Sequence, residues 1–361
     1  MRLGVAAALV DGALLPGDVA VEDGAVTAVG LSGRGRGIAA PGFVDLQVNG
    51  FAGVDLIHAD REGYARVGEA MLATGTTAYR PTFITAREAD LVAALREIPP
   101  DPAILGAHLE GPFLSPRRLG AHPAAWRRDP DPALLARLLE AGPVRHVTLA
   151  PELEGATALI DLLLARGVLI AAGHSDATAA EAHAAFDRGV RTVTHLFNAM
   201  RPMATRDPGI ALAALARPDV AIQLIADGHH VADDALRVAW RAARGRIALV
   251  TDAVAAAGMG DGTFPFAGGH VVATGGVVRG PEGQLAGSAL TMIDAVRHVH
   301  ALGVPLEEAL VAASATPARL AGRPDLGRLA PGARADVVVL DDDLGVLRVI
   351  REGREHVDRR P

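Results

Sequence analysis

From residue 43 to residue 253, short apolar runs alternate with amphipathic stretches. The runs are FVDLQV (43–48), TTAYRPTF (76–83), AILGAHLE (103–110), RHVTLAPE (145–152), VLIAAGHS (168–175), RTVTHLFN (191–198), VAIQLIAD (220–227) and RIALVTDA (246–253). Each is close to continuously apolar, as a parallel strand buried on both faces must be. Between them, residues 131–142 read as a helix with an acidic cap and a terminal glycine. Residues 154–167, 178–189 and 233–245 read likewise. Eight such units predict an α/β chain folded as a (β/α)8 TIM-type barrel, in preference to a doubly wound sheet.

The two ends follow another pattern. Residues 1–41 read as short strands with glycine turns, and 17–30 as a hairpin. The stretch 327–343 is again β-like. This predicts a small β-sandwich domain made of residues 1–41 and 326–361, beside a barrel spanning 42–325. The apolar run 3–10 stops at Asp11 and Gly12 and has no basic start or cleavage site. It therefore reads as a strand and not a signal peptide. No stretch approaches the roughly 20 apolar residues that a membrane span needs.

Composition narrows the chemistry. The chain has 361 residues, half of them hydrophobic, enough for a large core. There is no cysteine, which excludes disulfides, thiolate zinc sites and cysteine nucleophiles. All 35 basic residues are arginine. The absence of lysine excludes Schiff-base chemistry, a P-loop, and a carboxylated lysine bridging two metals. A net charge of −7 gives no sign of a nucleic-acid partner.

In a barrel of this kind, catalytic groups sit at the C-terminal ends of strands. There the sequence places Glu110, His174, His195 and Asp252. Singly, each has a plain structural explanation: a satisfied core histidine, an ion-paired glutamate, a helix cap. Together, one glutamate and two histidines form a three-ligand set with room for a water, and an aspartate on the last strand can take that water's proton. The contiguous HSD of 174–176 is not a serine triad, because neighbours in sequence do not converge in the required relay geometry. On the first strand Gln47 and Asn49 stand where a two-metal hydrolase would carry paired imidazoles. Neutral amides are poor zinc ligands, so they read as polar lining, or as a vacated second metal position. His108 shares the inward face with Glu110 and reads as packing or support, with a ligand to an extra metal as the alternative.

The motifs PGFVDLQVNG, HLEGPF, AGHSDAT, THLFNAM, IADGHHV and LVTDA occur in this order. In combination they resemble the N-acetylglucosamine-6-phosphate deacetylase family of the amidohydrolase superfamily, over essentially the whole barrel. The resemblance implies Glu110, His174 and His195 as metal ligands, Asp252 as acid/base, and His122 as the group that polarises the acetamide carbonyl. It implies phosphate contacts from Arg206, from His230 (with His229 beside it), and from the loop at Asn198 and Ala199. Leu285, Ala286 and Gly287 match a substrate-covering loop. It further implies one divalent metal ion per subunit, zinc or another such as iron, and an amino-sugar phosphate substrate. The implied setting is a cytoplasmic homodimer whose phosphate ligands cross the interface, with no nucleic-acid or membrane partner. Two alternatives stay open: deacetylation of another N-acetyl amino sugar, and a non-catalytic sugar-phosphate-binding regulator. Cyclic-amide hydrolases of the dihydroorotase or imidazolonase type usually want the paired histidines, and some the bridging lysine, that are absent here.

Overall fold

The computed structural model describes residues 1–33 and 35–360. Eight parallel strands, in sequence order, form one sheet. They are Phe43–Val48, Thr76–Ile84, Ala107–Glu110, Val144–Leu149, Leu169–Ala172, Thr192–Val193, Ala221–Leu224 and Ile247–Leu249. The ring closes between its ends: Val48 bridges Ala253 in parallel, and the Asp252 and Asn49 amides donate to the carbonyls of Gln47 and Ala253. This is the predicted barrel. Both faces of its strands are buried, as their apolar runs require.

The helices fall where the pattern puts them. The Asp131 carboxylate accepts from the Ala133 and Leu134 amides and starts Pro132–Ala141. Thr178 and Glu181 form a reciprocal capping box at the start of Ala179–Arg188.

Several strands end sooner than the apolar runs suggest. Three of those runs continue into His174, His195 and Asp252, which have φ of 48°, 29° and 51°. A left-handed residue breaks the ladder, so regular pairing stops before each of them. The third strand starts late for the same kind of reason, at Gly106 with φ 79°.

Residues from both ends build a second, six-stranded sheet. Ile38–Pro41 lies at its centre, parallel to Ala7–Val10 and antiparallel to Val337–Leu340. The predicted hairpin is present as Asp18–Glu22 paired with Ala25–Leu31. Alternation along the central strands splits their side chains between two cores. Ala39, Val337 and Val339 pack with Val19, Val21 and Val26 of the hairpin. Ala40, Val338 and Leu340 join the barrel core.

One element is absent from the sequence reading. After the eighth strand, Gly262–Phe266, Gly269–Thr274 and Val277–Arg279 form an antiparallel meander. Val271, Ala273 and Val278 pack it onto Val254, Ala256 and Ala286 at the barrel mouth. No helix among the described residues is long and apolar enough to cross a membrane.

Candidate active site

Glu110 ends the third strand and is buried. Its Oε1 lies 3.2 Å from His174 Nε2 and 2.8 Å from His195 Nε2, and the two Nε2 atoms are 3.0 Å apart. His174 Nδ1 is 2.9 Å from the Arg118 carbonyl oxygen. A carbonyl only accepts, so Nδ1 carries the proton and Nε2 presents a lone pair to the carboxylate. Two electron-rich atoms facing each other across 3.2 Å need a cation between them. Tetrahedral zinc bonds of about 2.0–2.1 Å would place ligand atoms at roughly this separation. Glu110, His122 and His174 also form a buried donor group with one ligand atom each within 4.8 Å. The site therefore fits a divalent metal.

His122 stands apart from the other imidazoles in its bonding. The Thr85 amide donates to its Nδ1 at 3.3 Å, and Thr85 Oγ1 lies 2.9 Å from the same nitrogen. Since an amide N–H can only donate, Nδ1 accepts and Nε2 holds the proton. That proton points towards Glu110 Oε2, 3.7 Å away and too far for a hydrogen bond. His122 thus offers a donor where His174 offers a lone pair.

Electrostatics follow from burial and company. Burial opposes a charge on Glu110, but the imidazoles of His122, His174 and His195 gathered around it outweigh that cost and hold the carboxyl well below the ordinary range. Burial, then the charge of His174, brings His122 down to about 4, so it is neutral near pH 7. Burial, then the charge of Glu110, pushes Asp252 up to about 6. A carboxylate poised there can take up and release a proton near neutral pH.

The first-strand amides serve Asp252. Gln47 Nε2 donates to Glu110 Oε1 at 3.1 Å and to Asp252 Oδ1 at 3.0 Å. Asn49 Nδ2 donates to the same Asp252 oxygen at 2.7 Å. His108 lies below: its Nδ1 is 3.2 Å from Thr82 Oγ1, its Nε2 is 2.7 Å from Thr148 Oγ1, and it stacks on His146 at 3.8 Å. Burial lowers it to about 3, so it packs as a neutral ring.

One cavity of about 280 Å³ gathers most of the predicted residues. Glu110, His122, His174, His195 and Asp252 line its floor together with Asn49. Asn198, Ala199, His230, Leu285 and Gly287 also line it. His230 Nδ1 is 2.7 Å from Asp227 Oδ2. His229 is exposed, so His230 is the imidazole that faces the cavity.

Two predicted contacts are not among the lining residues. Ala286 is buried in the meander core, where its amide donates to the Val278 carbonyl oxygen, while its neighbour Leu285 lines the cavity. Arg206 is exposed on the loop after the sixth strand. The cavity also takes in residues that the sequence did not single out: Ile84, Ile225, Phe266 and Gln284. Asp45 is another. It accepts from Thr251 Oγ1 at 2.6 Å and so fixes the residue before Asp252. The alternation Asp45, Gln47, Asn49 carries that signal, since all three face inward.

A closed barrel with a buried Glu/His/His group, an adjacent aspartate and an imidazole donor defines the class of metal-dependent hydrolases. The chain belongs to the amidohydrolase family, whose model matches residues 38–355. The resemblance to N-acetylglucosamine-6-phosphate deacetylases is borne out. The human enzyme of that name is 41% identical over 334 residues, 86% of this chain and 81% of that protein. The N-acetylgalactosamine-6-phosphate deacetylase of Escherichia coli O157:H7 is 37% identical over 350 residues, 92% and 93% of the two chains. Among solved structures, an Asp-to-Ala mutant of the Mycobacterium smegmatis N-acetyl-D-glucosamine-6-phosphate deacetylase, in complex with N-acetyl-D-glucosamine-6-phosphate, superposes with a TM-score of 0.95. It is 38% identical, with 99% of each chain covered.

Proposed function

We propose that the protein hydrolyses the acetamide of N-acetylglucosamine 6-phosphate, giving glucosamine 6-phosphate and acetate. The observation that carries this reading is the convergence of Glu110, His174, His195, Asp252 and His122 on one cavity. The names and substrates of the relatives supply the sugar phosphate.

Glu110, His174 and His195 would hold one divalent cation, and this ligand set suits zinc. When bound, such a cation supplies Lewis acidity that lowers a water's pKa from 15.7 towards about 7. Asp252 accepts the proton of the attacking water as its oxygen adds to the carbonyl carbon. His122 Nε2–H donates to the carbonyl oxygen as negative charge builds there. Asp252 then delivers the proton to the nitrogen as the C–N bond breaks, because an amine anion is a very poor leaving group. His230 and the Asn198–Ala199 loop hold the phosphate, so binding energy far from the bond broken serves to orient it. Leu285 and Gly287 close the cavity over the substrate.

Arg206 stands exposed outside the cavity lining of its own chain. This supports a homodimer in which phosphate ligands cross the interface. Residues 1–41 and 326–361 form the β-sandwich domain in this reading, and 42–325 the catalytic barrel. The setting is the cytoplasm, where phosphorylated sugars are retained.

The test is acetate release from N-acetylglucosamine 6-phosphate, lost on chelation and restored by added zinc. The panel includes the galactose epimer, because the Escherichia coli relative is named for it. Faster turnover of the epimer would reassign the substrate. No release from either would overturn the reading in favour of a sugar-phosphate binder.

A further inference from the structure

Thr85 follows the second strand, Thr76–Ile84, and is fully buried. It does not line the cavity. Both of its polar groups meet one atom: the amide nitrogen and Oγ1 lie 3.3 Å and 2.9 Å from His122 Nδ1. Its surroundings make room for this contact. A Cβ added at Gly111 would lie 2.5 Å from Thr85 Oγ1, and Gly111 has φ +90°. The glycine that follows Glu110 therefore leaves space for the Thr85 hydroxyl beside His122.

We propose that Thr85 is a positioning residue that fixes the tautomer of His122, with Nδ1 as acceptor and Nε2–H directed into the cavity. The argument is one of donors and acceptors. The Thr85 amide cannot accept, so a proton on Nδ1 would face it donor to donor in a buried place. The hydroxyl can rotate to donate to the same nitrogen, and it then reinforces the choice. The opposite tautomer would present a lone pair to the substrate's carbonyl oxygen, where charge develops, and would repel it. His174 carries the opposite assignment through the Arg118 carbonyl. Two neighbouring imidazoles, with ring centroids 4.3 Å apart, are thus set to opposite roles by one backbone donor and one backbone acceptor. For catalysis the inference rests on the role proposed for His122; the tautomer itself does not.

The test uses the zinc-loaded, full-length protein with 15N-labelled histidine. Long-range 1H–15N spectra distinguish protonated from unprotonated ring nitrogens, and the His122 signals are those missing from His122→Asn. We expect a protonated Nε2 in the unaltered protein. In Thr85→Val, which keeps the amide and the shape, we expect the same tautomer, because the amide alone opposes a proton on Nδ1, but a ring held by one bond fewer. We also expect kcat to fall about tenfold, the worth of one buried hydrogen bond. KM and the zinc content stay unchanged, and Thr85→Ser restores kcat. A protonated Nδ1 in the unaltered protein overturns the proposal. So does a protonated Nδ1 in Thr85→Val, or a kcat unchanged there. The spectra stand whether or not acetate is released, so failure of the proposed activity is seen separately.

Discussion

Asn49 Nδ2 donates a 2.7 Å hydrogen bond to Asp252 Oδ1 across the seam where the first strand meets the end of the eighth. Gln47 Nε2 adds a second donor to the same oxygen. The two amides hold Asp252 with one oxygen tied down, while Asp252 Oδ2 has no hydrogen-bond partner among the described residues. They give the first strand a use that requires no second metal.

Replacing Asn49 by Leu should shift the pH profile. Burial, then the charge of Glu110, raises Asp252 to about 6, and the Asn49 bond works the other way. Its loss raises Asp252 further. The base must be ionised, so activity falls as pH drops through that pKa, and the acidic limb of kcat/KM moves up. The limb should move up by about one pH unit, the worth of a charge-assisted hydrogen bond, and activity at pH 7 should fall about twofold. An unmoved limb would count against Asp252 as the base.

Asp252→Asn should keep the metal and lose turnover. The side chain shares donors with Glu110 but is not one of the three converging atoms. Removing the acid/base should cost about 100-fold or more in kcat. Metal analysis and single-turnover rates check both halves, and full activity would refute the assignment.

Much of this was legible in the sequence because the signals were local. Continuous apolar runs located all eight strands, and caps such as Asp131 and Thr178 located helix starts. Polar residues at the ends of apolar strands located Glu110, His174, His195 and Asp252. What was hidden depends on contacts between distant residues. Thr85 reads as the end of a strand, and only the fold brings it to His122, 37 positions away. The meander at 262–279 has its apolar face against the mouth alone, so its alternation is weak and its glycines read as loop. The inward turn of Leu285 beside the outward turn of Ala286 depends on that meander, which the sequence reading did not contain.

Gly287→Ala should damage the mouth. Gly287 has φ +66°, and a Cβ there would lie 2.3 Å from Val254 Cγ1 and 2.9 Å from the Asp252 carbonyl oxygen. The left-handed backbone and the overlap each oppose a side chain. Together they should cost about 1–3 kcal/mol of stability, read by thermal unfolding. KM should rise as well, because Leu285 is displaced with the loop. An unchanged melting temperature would show that the loop carries no such constraint.

Metal analysis of the protein as purified should give one ion per chain. Gln47 and Asn49 use their amide nitrogens on Asp252 and Glu110 and do not form a second imidazole pair. Glu110→Gln should lose the ion, because it removes the charge on which both imidazoles converge. Two tightly held ions per chain would require a different account of the first strand.

Asp227→Asn should separate phosphate recognition from catalysis. Asp227 Oδ2 is 2.7 Å from His230 Nδ1, and its Oδ1 accepts the amides of His229 and His230. Burial favours its neutral form, but the hydrogen bond and charge of His230 prevail and bring it down to about 2. It is therefore a carboxylate throughout the working pH range. The asparagine weakens the charged bond that orients His230 towards the cavity. KM for N-acetylglucosamine 6-phosphate should rise about tenfold with kcat little changed. N-acetylglucosamine without its phosphate should be hydrolysed with kcat/KM within about twofold of the unaltered protein, because it makes no use of that imidazole. Equal losses on the two substrates would remove His230 from the phosphate site and leave Asp227 as a structural brace for the loop after the seventh strand.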